Sequence, residues 1–287
     1  SSAASDVYKR QDIDRLRHSA TYALFEREDV IIVSSVSCIY GLGSPEAYEN
    51  MVVTLEQGQK ITREKLALGL VQIMYERNDL EFSRGNFRVR GDRIDVYPPY
   101  WDDKAIRIEF FEDEVENIYE IDPLRSKVLA SRKKITFYPG THYVINPEIK
   151  KNAIISIRNE LQQRLNDLRQ LGKKMEAERL QQRTLFDIEM IETVGTCKGI
   201  ENYARYFDGR KEGEAPLTLL DYFPKDFLLI IDESHITVSQ IGGMYRGDRA
   251  RKMTLVEHGF RLPSALDNRP LNFCLLYTSP SPRDRQK

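Results

Sequence analysis

FRVRGDRIDVYPP, residues 87–99, is apolar at every second position on either side of a Gly-Asp break. Phe87, Val89, Ile94 and Val96 alternate with polar residues, and Gly91-Asp92 between two such runs signals a β-hairpin. Side chains of a strand point alternately to its two faces, so Arg88 and Arg90 share one face and Phe87 and Val89 the other. The alternation recurs in IRIEFFEDEVENIYEID, residues 106–122, where Arg107 and Glu109 lie opposite Ile106 and Ile108. An antiparallel sheet with one apolar and one charged face follows. Two readings of the charged face stand side by side: a solvated sheet surface, or an arginine-rich docking face, since Arg is favoured at interfaces. Both expect these side chains to be exposed.

Outside this sheet the pattern changes. DVIIVSSVSCIYGLGSPEAY, residues 29–48, opens on a short apolar run, Val30 to Val33, and FLLIID, residues 227–232, is a second. A strand buried on both faces reads this way and is typically parallel in an α/β sheet. A large insertion is therefore expected between two strands of one parallel sheet. The rest of the insertion reads as helical. Asn146-Pro147 offers an N-cap and a first-turn proline, and Ile154, Ile157, Leu161, Leu165, Leu168 and Leu171 form one apolar stripe. Basic residues on its other face suit solvation or, as the minority reading, nucleic acid.

Charged residues make up 30% of the 287 and hydrophobic ones 41%, the balance of a soluble globular chain with room for more than one unit. Net charge is −1, so a polyanion would have to be met by local basic patches. Cys38, Cys197 and Cys274 share no ligand-like spacing, and the four histidines lie far apart. A disulfide framework or zinc site is not expected, and a cytoplasmic location suits the thiols. No apolar run approaches the roughly 20 residues that span a bilayer. SSAASDVYKRQ (1–11) and CLLYTSPSPRDRQK (274–287) resemble translated sequencing adapter and are set aside. The expected organisation is a core segment over 12–49, the antiparallel docking domain over 50–145, helices over 146–220, and core again over 221–273.

The second apolar run ends in Asp232 and Glu233. A strand followed by Asp-Glu is the form of the second nucleotide-site motif of P-loop ATPases, whose Asp holds Mg²⁺ and whose Glu activates water. The same pair also suits a turn or helix cap. The phosphate-cradling GxxxxGK[ST] is absent from the chain, and LGKK at 171–174 lies on the helical stripe. Half an ATP site is present at best.

Four longer strings carry a resemblance: VIIVSSVSCIYGLGSPEAY, FRVRGDRIDVYPP, FDIEMIETVGTCKGIENYARYFDGR, and IDESHITVSQIGGMYRGDRARKMTLVEHGFRLPSALDNRPLNF. Together they resemble the UvrB family, a component of excinuclease ABC in bacterial nucleotide excision repair, over residues 12–273. The resemblance implies a partial helicase-like P-loop core whose parallel sheet carries two insertions, an α+β domain that docks UvrA and a helical subdomain. It implies ATP and Mg²⁺ as cofactors, damaged double-stranded DNA as substrate, and UvrC as a partner recruited through regions beyond these residues. Asp232 (Mg²⁺ through water) and Glu233 take the catalytic roles, with Glu201 and His235 coupling ATP to DNA. Arg17, Ser35, Ser37, Tyr40, Tyr143 and Arg183 match the DNA path. Arg77, Arg88, Arg90, Arg107 and Glu109 match the UvrA-docking surface. A non-catalytic UvrA-docking adaptor, as in transcription-repair coupling factors, is the alternative; DESH and LPSALDNRPL favour the motor.

Overall fold

The computed structural model describes residues 2–145 and 147–272, with side chains from residue 12 onward except that of residue 147. Asn146, the expected cap, and the tail 274–287 lie outside the described residues. In chain order the first elements are α1 (Ser2–Glu26), α2 (Pro45–Asn50), β1 (Val53–Glu56), α3 (Arg63–Gln72), β2 (Glu76–Arg77), β3 (Asn86–Arg90), β4 (Arg93–Val96), β5 (Ala105–Phe111), β6 (Glu114–Ile121), β7 (Val128–Arg132) and β8 (Lys134–Phe137). They belong mainly to one unit, formed by Ser1–Ile32 with Glu46–Val144.

The alternating stretch becomes β3 and β4, with Arg90 opposite Arg93 across the two-residue loop. Gly91 has φ 59° there, a positive value at the first loop position that glycine takes without steric cost. β3 to β7 continue as an antiparallel meander in sequence order, and β2 joins β3 in parallel at one edge. The apolar face of this sheet carries Phe87, Ile94, Val96, Ile106, Ile108 and Ile118, packed with Leu66 and Leu70 of α3. Helix α3 begins where Thr62 accepts a hydrogen bond from the Lys65 amide at 3.1 Å, a side-chain N-cap. β1 and β8 form a separate two-stranded pair whose Leu55 and Phe137 enter the same core. Gly140 lies against the chain at Met74, where an added Cβ would stand 2.4 Å from a carbonyl oxygen.

The C-terminal half of α1 packs on this unit through polar and aromatic side chains. Ser19 donates to the Tyr100 carbonyl at 2.6 Å, Tyr22 stacks on Tyr100 at 4.2 Å, and Tyr138 donates to Glu26 at 2.9 Å. His18 stacks on His142 at 4.1 Å, while the Thr21 hydroxyl lies 3.1 Å from His142 Nε2. Burial, then the Arg17 charge, lowers the His18 pKa to about 4; burial, then His18 and Arg17, brings His142 well below its ordinary value.

The second unit comprises Val33–Pro45 and Ile145–Lys287. Its helices are α4 (Pro147–Gln170), α5 (Lys174–Thr193), α6 (Ala204–Phe207) and α7 (Ser234–Glu257). The predicted stripe is the buried face of α4 from Ile154 to Leu168, whereas Leu171 is exposed beyond the helix end. There the chain turns at Gly172, φ 75°, and α5 returns antiparallel, with Arg158 pairing Glu192 at 3.3 Å. Farther along, the Glu160 carboxylate accepts from the Ser264 amide and the Tyr206 hydroxyl, and Arg205 pairs Asp267.

The mixed α/β class, the antiparallel insertion and the helical subdomain are all present. The parallel sheet expected from residues 30–33 and 227–232 is not. Neither run forms a strand, and Ile31 is 92% and Ile230 79% exposed. An apolar run becomes a central strand only when strands flank it and layers cover both faces. Among the described residues no strand pairs with either run.

Candidate docking surface

The charged face of the meander is built by register. Arg88 stands opposite Asp95, Asp95 opposite Arg107, and Arg107 opposite Tyr119. Asp95 is 1% exposed. It accepts from Arg88 Nε at 3.0 Å and from Arg107 Nε at 2.8 Å and Nη2 at 3.2 Å. Burial pushes its carboxyl pKa up, but the hydrogen bonds from Arg107 and Arg88 outweigh that and hold it below the ordinary value. The Arg88 guanidinium is also covered by the Phe82 ring at 4.2 Å and donates to Ser126 Oγ at 3.2 Å. Arg107 reaches the Ser126 carbonyl at 3.5 Å. Beside this cluster Tyr97, Ala105 and Ile121 make a small apolar core with Phe82 and Tyr119.

Arg88 and Arg107 are therefore buried, which corrects the expectation of a wet face. Alternation gives the face a residue occupies, not whether the loops before β3 and after β6 fold over it. Asp95 and Phe82 went unremarked in the sequence. The signal for Asp95 was present: in RIDV it falls opposite Ile94 and Val96, in phase with both arginines. On this face Arg90 is exposed and Glu109 half-buried, whereas Arg77, also exposed, pairs opposite Phe87 on the edge strand β2 and so belongs to the other side. Arg77 donates to Asp79 at 3.0 Å, and Asp79 accepts from the Val89 amide at 2.9 Å. That amide first, then Arg77, holds the Asp79 carboxyl below its ordinary pKa. Two loops are pinned at this centre by Asx-type turns. Asn78 Oδ1 accepts from the Leu80 and Glu81 amides, and Asp122 Oδ1 from those of Leu124 and Arg125.

Residues 53–143 match the family model described as UvrB interaction domain, and residues 148–209 that of UvrB third helical domain. The UvrABC system protein B of Syntrophotalea carbinolica is 58% identical over 263 residues, 92% of this chain and 39% of that protein. That of Nitratidesulfovibrio vulgaris is 56% identical over 276 residues, covering 94% and 41%. That of Bacillus licheniformis is 56% identical over 268 residues, covering 93% and 40%. The chain belongs to the UvrB family. It spans about two fifths of the length of these UvrB relatives.

The remaining expected site residues of this UvrB chain lie in separate places. Asp232 and Glu233 are exposed, and the Asp232 carboxylate accepts from the Glu233 amide at 2.9 Å. Glu233 has φ 48° at the start of α7, with His235 Nδ1 3.5 Å from its carboxylate. These carboxylates alone do not fit a Mg²⁺–nucleotide group. One is turned to its own backbone, and among the described residues no three acidic, His or Cys side chains are placed to hold a metal. Of the residues matched to the DNA path, Arg17 and Tyr143 belong to the first unit, and Ser35, Ser37, Tyr40 and Arg183 to the second. The Ser35 and Ser37 hydroxyls are hydrogen-bonded, and the Tyr40 pKa is raised by burial, then by Asp248 of α7. Arg183 is held by Asp187 at 3.1 Å and the Lys198 carbonyl at 3.0 Å, tying α5 to the loop that leads to Glu201. No helix among the described residues is long and apolar enough to cross a membrane.

Proposed function

We propose that this chain acts in bacterial nucleotide excision repair as part of a damage-verifying, ATP-dependent UvrB protein, and that its sheet unit is the surface that receives UvrA. The observation carrying this reading is the charged sheet face. A buried Arg88–Asp95–Arg107 cluster fixes the strands, while Arg90 stays exposed and Glu109 half-buried on the same face, and Arg77 is exposed at the edge strand. A rigid base lowers the backbone ordering cost when a partner pairs with charges on it, leaving only the rotamer freedom of the long side chains to be lost. Arginine presents a planar fork suited to carboxylates. Damaged DNA and UvrC belong to the same reading through family membership, as do ATP and Mg²⁺.

The test is calorimetric titration of purified UvrA with the chain and its Arg90→Glu variant. Arg90 is exposed, so the fold should be unchanged. Affinity should fall about tenfold or more if the charge is desolvated in the complex, and less at the rim. Binding equal to that of the parent chain would refute this face as the docking surface.

A further inference from the structure

Leu80 is 98% exposed and Leu124 is 94% exposed, each at a turn where leucine is an uncommon choice. Both backbones are fixed: the Leu80 amide donates to Asn78 Oδ1 at 3.1 Å and the Leu124 amide to Asp122 Oδ1 at 2.8 Å. The two turns converge on one buried group. Phe82, two residues after Leu80, covers the Arg88 guanidinium, and Ser126, two residues after Leu124, accepts its hydrogen bond. Arg88 is thus a brace between two loops, each of which carries a bare leucine on its outer side.

We propose that Leu80 and Leu124 are the apolar anchors of the docking surface, inserted into two shallow apolar pockets on the partner protein. This rests on the UvrA-docking reading and deepens it. Rigid apolar tips in water gain free energy only when something covers them, and pre-fixed turns lower the ordering cost of doing so. Binding energy at interfaces concentrates in a few central residues that fill pockets and are ringed by polar ones. Here the exposed ring holds Arg90, Arg125 and Lys127 together with Glu81, so the matching pockets should be bordered by charges of both signs, carboxylates facing the three basic residues. A nucleic acid fits poorly, because leucine offers no stacking face for a base.

The experiment titrates purified UvrA with the whole chain, its Leu80→Ser and Leu124→Ser variants, the double variant, and Arg90→Glu, with thermal unfolding of each. Each serine should weaken binding about tenfold and the double variant about 100-fold if the sites act independently. Melting temperatures should be unchanged. Leu80→Met with Leu124→Met should retain most of the affinity, since the apolar tip is kept. Double-serine binding within about threefold of the parent, with Arg90→Glu weakened, would overturn the anchors and leave the docking surface standing. Unchanged binding in all variants would remove both. Destabilisation by the serine substitutions would overturn the premise that the leucines are free of the fold.

Discussion

Arg88→Ala separates the buried part of the charged face from its exposed part. The substitution removes the Nε bond to Asp95 at 3.0 Å, the Nη2 contact at 2.9 Å, the bond to Ser126 and the ring contact with Phe82. A hydrogen bond to a charged group contributes about 1.5–3 kcal/mol, and a cation over an aromatic face about 0.5–2 kcal/mol. These do not add in full, because Asp95 keeps Arg107 at 2.8 Å. The expected loss is about 2–4 kcal/mol, below the 3–5 kcal/mol of a buried charge left wholly unpaired. In a unit of this size each kcal/mol shifts the midpoint by about 3–5 °C, so the first unit should melt on the order of 6–20 °C lower. Asp95→Asn should cost at least as much, since it leaves two buried guanidinium groups facing a neutral side chain. Arg90→Ala should stay within about 0.5 kcal/mol. Thermal unfolding by circular dichroism gives the midpoints, and amide exchange should quicken at both 78–82 and 122–126 in Arg88→Ala. A midpoint within about 2 °C of the parent chain, with exchange unchanged in either loop, would refute the brace.

The packing of α1 should depend on pH. His18 and His142 have folded pKa values lowered by burial, so the unfolded chain binds more protons, and stability is lost as pH falls from 6.5 to about 4. His142→Asn should flatten that slope in unfolding midpoints measured across the range. Asp95, and Glu120 of β6 where it pairs Arg132 and Lys104, act below it: depressed folded values mean stability that is present above the ordinary carboxylate pKa and lost as pH falls beneath it. Gly140→Ala should destabilise the first unit by about 2–3 kcal/mol, because the new Cβ meets the Met74 carbonyl rather than a movable side chain. A neutral outcome in chemical denaturation would show that the backbone yields there.

The antiparallel unit was legible because alternation is a local property, and Phe87, Val89, Ile94 and Val96 carry it without outside help. Depth was not legible. Arg88 and Arg107 were assigned the correct face, yet whether a face is wet depends on Phe82 and Ser126, which reach it from loops outside the strands. The runs 30–33 and 227–232 fail for a related reason. Apolarity is written in the residues, whereas a strand is a relation between segments. Asp232 and Glu233 likewise carry a chemistry in their type, and the groups that would complete a site around them are a separate matter from their spacing.

The pairing of β1 with β8 sets Val53 directly opposite Phe137, so the chain enters and leaves the sheet unit at almost one point. Between them, after α3 and the short edge strand β2, runs a meander whose strands β3 to β7 each pair with the next along the chain. Such short-range pairings close cheaply, and the meander can form before its two ends meet. The β1–β8 pair is then a clasp across the two ends, the pairing most distant in sequence among the described strands. A module with adjoining ends can be spliced into a loop of another protein while asking little of its host. Natural shuffling would therefore move this sheet between hosts as a unit, with the buried Arg88–Asp95–Arg107 cluster intact.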